Sequence, residues 1–167
     1  MLYIVLAVLM IALDQAVKYW AFTSLQAQQT IPLIENVFHL TYVENRGAAF
    51  SMFAQFDSRW IFVALAVIIS IAISVALYKG WMQNALGRWS LVLVGAGAIG
   101  NAIDRVIRGF VVDLYDFRLI HFPVFNVADV FICAGAVLSV IYFLFQHKDE
   151  KPADDSKQGP SERGRHE

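Results

Sequence analysis

A single cysteine, Cys133, excludes an internal disulfide and any cysteine-built metal cluster. It sits in an apolar run, where a free cysteine is expected to pack as a small core hydrophobe. Charge is also scarce: 16% of residues are Asp, Glu, Lys or Arg, and the net charge is -1. There is no basic patch, so nothing favours a nucleic-acid partner. The histidines, His39, His121, His147 and His166, are isolated and form no metal-binding spacing.

Hydrocarbon takes the place of charge. Hydrophobic residues make up 58% of the chain and the mean hydropathy is +0.55, whereas an ordinary soluble domain is about 45–50% apolar. Four runs, 2–22, 60–78, 89–107 and 125–145, each approach the roughly 20 residues that an α-helix needs to cross the hydrocarbon core. The predicted fold is all-α and polytopic, with four transmembrane helices in a domain spanning 1–146. The first run has no basic residue ahead of it and no clear cleavage site after it, so it is read as a retained span and not a signal peptide. Beyond Gln146 the composition turns to Lys, Asp, Glu, Pro, Ser and Gly, and 147–167 is expected to be a disordered, solvated tail.

Only the second run is free of charge. Asp14 lies in the first, Asp104 in the third and Asp129 in the fourth, with Asn101 and Asn126 beside the last two. A carboxylate in lipid is costly and marks function by default. Parity puts the end of span one, the end of span three and the start of span four on one side. At about 1.5 Å per residue, Asp104 and Asp129 lie roughly 5–6 Å and Asp14 roughly 12 Å inside their helix ends.

The two longer connections open on that same side. The first, 23–59, contains Val37-Phe38-His39-Leu40-Thr41-Tyr42, in which Phe38, Leu40 and Tyr42 would share one face of a strand. The third, 108–124, starts with the β-rich Phe110-Val111-Val112, while the second, 79–88, is a short hairpin. A small β-rich loop region is therefore expected to roof a shallow polar site, to which it brings Asn45, Asp113 and Asp116.

Each cluster also has a structural reading. Asp14 and Lys18 are one turn apart and can neutralise each other. Asn101, Asp104 and Arg105 share a face after the small-residue run Gly95-Ala96-Gly97-Ala98-Ile99-Gly100, which suits close helix packing, and Asp104 beside Arg105 would serve as a neutralised brace. Asn126 is placed as a helix cap with Asp129 on the same face, and no cation lies near Asp129 in sequence. A Ser–Lys dyad of Lys18 with Ser24, Ser51 or Ser58 lacks a recognisable nucleophile setting. Carboxylates remain as the chemical groups. A small proton- or ion-coupled transporter is the competing reading, although such proteins place their sites near the midplane and show repeated halves.

Five motifs, Asp14-Gln15-Ala16-Val17-Lys18, Asn45-Arg46-Gly47-Ala48-Ala49-Phe50, Gly97-Ala98-Ile99-Gly100-Asn101-Ala102-Ile103-Asp104-Arg105, Val111-Val112-Asp113 and Phe125-Asn126-Val127-Ala128-Asp129, occur in the order and spacing of the lipoprotein signal peptidase family, also called signal peptidase II. The chain resembles a full member over residues 2 to about 146. Arg46 and Ala96 depart mildly from the family pattern, and neither is a catalytic carboxylate.

The resemblance implies an aspartic endopeptidase of the bacterial cytoplasmic membrane, monomeric, with both termini inside and the site at the outer face among membrane lipids. Its substrate would be a diacylglyceryl-modified prolipoprotein, cut before the lipid-bearing cysteine, and the chemistry would require no metal or other cofactor. The resemblance casts Asp113 and Asp129 as the catalytic pair. It casts Asp14, Lys18, Asn45, Gly47, Asn101, Asp104, Arg105 and Asn126 as the supporting and substrate-contacting shell. Spacing by itself offers Asp104 as readily as Asp113, and leaves Asp116 as a rival. Basic residues do not set the orientation: Lys79, Arg88, Lys148, Lys151, Lys157, Arg163 and Arg165 on one side nearly balance Lys18, Arg46, Arg59, Arg105, Arg108 and Arg118 on the other. Discounting Lys18 and Arg105, which carboxylates can hold in place, leaves a mild preference for cytoplasmic termini.

Overall fold

A computed structural model describes residues 1–47 and 58–146. The expected tail and Ala48-Ala49-Phe50 of the loop motif lie outside the described residues. Helix α1 covers Leu2–Trp20, α2 Arg59–Tyr78, α3 Ala85–Ile107 and α4 Val127–Gln146, and all four are long and apolar enough to cross a membrane. Strands β1 (Thr30–Ile34), β2 (Phe38–Asn45) and β3 (Val111–Phe117) form one antiparallel sheet in the order β1-β2-β3.

The helices depart from the apolar runs where capping or burial overrides hydropathy. Past Trp20 the first helix continues through a π-helical turn, Ala21–Leu25, to Gln28. The polar residues Thr23, Ser24 and Gln26 hide this extension in the sequence, but Ala21 and Leu25 are fully buried against Tyr42, Val112 and Leu114 of the sheet. Helix α3 starts at Ala85, four positions before the apolar run, because the Asn84 side chain accepts the Gly87 N–H at 3.0 Å and caps it. Phe125 is not helical: it pairs with Tyr115 beside β3, stacks on Phe117 and meets Phe122 edge-on.

The expected strand is β2, but its alternation is interrupted. A register shift against β3 falls between Leu40 and Val43. Leu40 and Tyr42 still pack into the buried cluster, while Phe38 stacks on Phe117 at 4.6 Å and His39 is buried. Cys133 corrects the expectation of core packing. It is exposed on α4, in an apolar groove of about 630 Å³ that Phe122, Phe125, Asp129 and Val137 also line.

The small-residue run brings the polar helices together. A Cβ at Gly97 would lie 2.4 Å from the Ala128 carbonyl oxygen, and one at Gly100 would lie 2.6 Å from Oδ2 of Asp14. Backbone cannot move aside cheaply, so Gly97→Ala is expected to cost at least about 1–3 kcal/mol by forcing α3 from α4. Thermal melts in detergent measure it; an unchanged Tm would mean that this contact is not close in solution.

Candidate active site

The start of α4 is the centre of the site. Asn126 caps this helix, and Asp129 completes a reciprocal arrangement: the Asp129 N–H donates to Oδ1 of Asn126 at 3.0 Å, and the Asn126 N–H donates to Oδ2 of Asp129 at 3.1 Å. The cap fixes the backbone that carries Asp129. The Asn126 side-chain amide also donates to Oδ1 of Asp113 at 2.6 Å, so one residue, through its side chain and its backbone N–H, ties both carboxylates together.

Asp113 arrives from β3, nearly inaccessible, with its second oxygen accepting from the Asn45 amide at 2.9 Å. Asn45 Oδ1 in turn accepts the Gly47 N–H at 2.9 Å, and Gly47 sits at φ +78, where a side chain would be strained. Oδ1 of Asp129 accepts from the Asn101 amide at 2.8 Å. Every oxygen of the pair therefore accepts one hydrogen bond.

Burial pushes the Asp113 carboxyl up from 3.8 to about 6, and the charge of Asp129 adds to it, against hydrogen bonds from Asn126 and Asn45 and the charge of Lys18. A folded value above the unfolded one means that this group favours the fold below about pH 4, a contribution lost as pH rises through about 6. At about 1.4 kcal/mol per unit the loss is about 3 kcal/mol. Stability of the parent relative to Asp113→Asn is expected to fall by that order between pH 4 and pH 7 in detergent melts. Parallel curves for the two proteins would contradict the burial argument.

Behind the pair lies a buried ionic core. Lys18 is fully buried and pairs with Asp14 at 2.9 Å, as the spacing suggests, while also donating to Asn101 Oδ1 at 2.8 Å. Asp14 does more than neutralise Lys18: its Oδ1 accepts the Ala128 N–H at 2.8 Å, one of the unpaired donors of the α4 start. Gln15, which sequence reasoning missed, donates to Asp14 at 3.2 Å and to the Gly100 carbonyl at 3.1 Å.

The brace at Asp104 is built differently from the expected one. Its ion pair is with Arg108, one turn further on, and not with its neighbour Arg105. Its other oxygen accepts the Val112 N–H at 3.0 Å and lies 3.7 Å from Lys18 Nζ. Asp104 is thus fully buried and engaged in holding the strand that carries Asp113. The i, i+4 spacing to Arg108 was available in the sequence. Arg105 instead lies over the Phe62 ring at 4.4 Å and feels the charges of Asp129, Asp113 and Asp104.

The rivals fall outside this constellation. Asp116 is three strand positions from Asp113, where its Oδ2 accepts from Thr41 at 2.8 Å and from Arg118 at 2.9 Å. Desolvation pushes its carboxyl up slightly, but these donors win and hold it below the ordinary range. Lys18 is occupied by Asp14, Asn101 and Asp104, and Ser24 is exposed at the far end of its helix; Ser51 lies outside the described residues. Arg46 is exposed, paired with Glu44 at 2.9 Å and set over Phe110. Among the described residues, no group of three or more His, Cys, Asp or Glu side chains is arranged to hold a metal.

Fold and site together define a multi-pass membrane protein whose polar centre is a bridged carboxylate pair at one end of a helix bundle. The profile of the signal peptidase (SPase) II family matches residues 6–145. The lipoprotein signal peptidase of Clostridioides difficile is 47% identical over 87% of this chain and 96% of its own, and that of Brevibacillus brevis 43% over 81% and 89%. Two solved bacterial membrane enzymes superpose with TM-scores of 0.79 and 0.78, at 30% and 32% identity, covering 91% and 86% of this chain and 93% and 92% of theirs. The chain belongs to the signal peptidase II family, and it is a protease. The transporter reading finds no support in these relatives.

Proposed function

We propose that the protein is an aspartic endopeptidase that removes signal peptides from diacylglyceryl-modified prolipoproteins, cutting before the lipid-bearing cysteine, with Asp113 and Asp129 as its catalytic residues. The observation that carries this reading is the pair itself, bridged by Asn126, with Asp113 nearly inaccessible and Asp129 half-buried. Two close carboxylates do not both ionise easily, so up to about pH 6 they hold one shared proton. Burial favours Asp113 as the proton carrier. The apparent pKa values belong to the pair.

In the reaction, charged Asp129 takes a proton from water as the water oxygen bonds to the scissile carbonyl carbon. Protonated Asp113 hydrogen-bonds the developing oxyanion. The C–N bond then breaks, the pair returns a proton to the leaving amine, and the single shared proton is restored.

Asp14, Lys18, Asn45, Gly47, Asn101, Asp104, Arg105 and Asn126 order the pair and the substrate around it. A site at the bilayer edge lets acyl chains stay in lipid while the peptide bond meets water. The proposed enzyme is a monomer of the bacterial inner membrane, with both termini cytoplasmic and the sheet and site on the outer face.

The test is intact-mass analysis of a diacylglyceryl-modified prolipoprotein incubated with the detergent-purified protein, with and without chelator, beside the unmodified precursor. The expected result is one cut, directly before the modified cysteine, insensitive to chelator. Cleavage elsewhere, or no cleavage where a known signal peptidase II cuts, would overturn the assignment.

A further inference from the structure

Lys18 touches neither Asp113 nor Asp129 by hydrogen bond, yet it is a fully buried ammonium one amide away from the pair. An ammonium only donates, so of the two ends of the Asn101 amide only the oxygen can accept from it. The NH2 end is thereby turned to Oδ1 of Asp129 at 2.8 Å. The opposite orientation would set NH2 against the ammonium and a carbonyl against a carboxylate, two repulsive contacts. Asn126 supports the same orientation more loosely, donating to the Asn101 oxygen at 3.2 Å.

We propose that Lys18 is a positioning residue for the catalytic pair: its ammonium fixes which end of the Asn101 amide faces Asp129, and so fixes Asp129 as the charged member that accepts the proton from water. The inference rests on the assignment of Asp113 and Asp129 above. The charged groups around Lys18 come from every packed element: Asp14 on α1, Asp104, Arg105 and Arg108 on α3, Asp113 on β3 and Asp129 on α4. With one proton on the pair, the four carboxylates and three cations of this cluster balance. The orientation of Asn101 is therefore set inside a neutral core, where the nearest donor decides it.

The test is the pH dependence of kcat on diacylglyceryl-modified prolipoprotein for the full chain in detergent. Four proteins are compared: the parent, Asn101→Ala, Lys18→Arg, and Lys18→Met combined with Asp14→Asn so that no unpaired buried charge remains. Loss of one charge-assisted hydrogen bond to Asp129 makes its charged form less favourable. The acidic limb of the profile is expected to move up by about one pH unit in Asn101→Ala. The Lys18→Met combination is expected to shift it by a similar amount, and adding Asn101→Ala to it should shift it little further. Lys18→Arg, which keeps the cation, should fall between this combination and the parent.

A merely structural Lys18 would lower folded yield and Tm while leaving the limb at the parent pH, and that result overturns the proposal. If the Lys18→Met combination yields no folded protein, an unshifted limb in Asn101→Ala overturns it equally. Failure of the underlying assignment looks different, because Asp129→Asn would then still turn over.

Discussion

Asp113→Asn is expected to lose at least about 10³-fold in kcat while melting no lower than the parent at pH 7. An amide can neither hold the shared proton nor pass it to the amine, and one positioned acid or base contributes roughly 10² to 10⁴. The stability expectation has a separate cause. Burial opposes the charged form of Asp113, pushing its carboxyl up to about 6. Removing that ionisation relieves the fold by about 3 kcal/mol above that pH. Against this, an amide at position 113 points its NH2 at one of two donors, Asn45 or Asn126, and forfeits about 1 kcal/mol. Activity and Tm on the same preparation check both halves. A dead variant with a collapsed Tm would assign the loss to folding.

Asp104→Ala is expected to show the reverse balance, a loss of about 3–5 kcal/mol in stability with chemistry impaired only secondarily. The carboxylate meets Arg108, the Val112 N–H and the Lys18 ammonium, and is wholly buried. Truncation leaves one cation short of its anion and a buried N–H without an acceptor, which is the costly half of the asymmetry between breaking a buried pair and never making one. Because Val112 precedes Asp113, the molecules that do fold should retain the Asp113–Asp129 pair held less firmly. Asp104→Asn keeps an acceptor for Val112 and should lie between. Denaturant or thermal melts of the three proteins order them; equal stability would show that the brace carries little of the fold.

The four spans were legible because hydrocarbon has to be covered by apolar residues in unbroken runs, and the sheet was legible in outline from the alternation at Phe38 to Tyr42. What the runs miss are the places where another force sets the boundary. The Asn84 cap starts α3 four residues early, and burial of Ala21 and Leu25 carries α1 past its polar residues. The Cys133 expectation failed for a related reason: an apolar run does not distinguish the face turned to other helices from the face left outward.

Within the site, spacing identified Asp14 with Lys18 and the capping role of Asn126. It could not separate Asp104 from Asp113, since both are carboxylates near one end of the bundle. That distinction depends on Val112 and Arg108 occupying Asp104, a three-dimensional fact, and on a family resemblance that hydropathy does not contain. The Lys18–Asn101–Asp129 relay was likewise invisible, because it joins residues from three helices far apart in the chain.

Single-turnover cleavage of diacylglyceryl-modified prolipoprotein by Asp129→Asn and by Asp104→Asn, each normalised to its folded fraction, decides which carboxylate performs the chemistry. Asp129→Asn is expected to fall at least about 10³-fold per folded molecule and Asp104→Asn to stay within about 10-fold of the parent. A folded Asp129→Asn that still cuts, beside an Asp104→Asn that does not, would move the chemistry to Asp104.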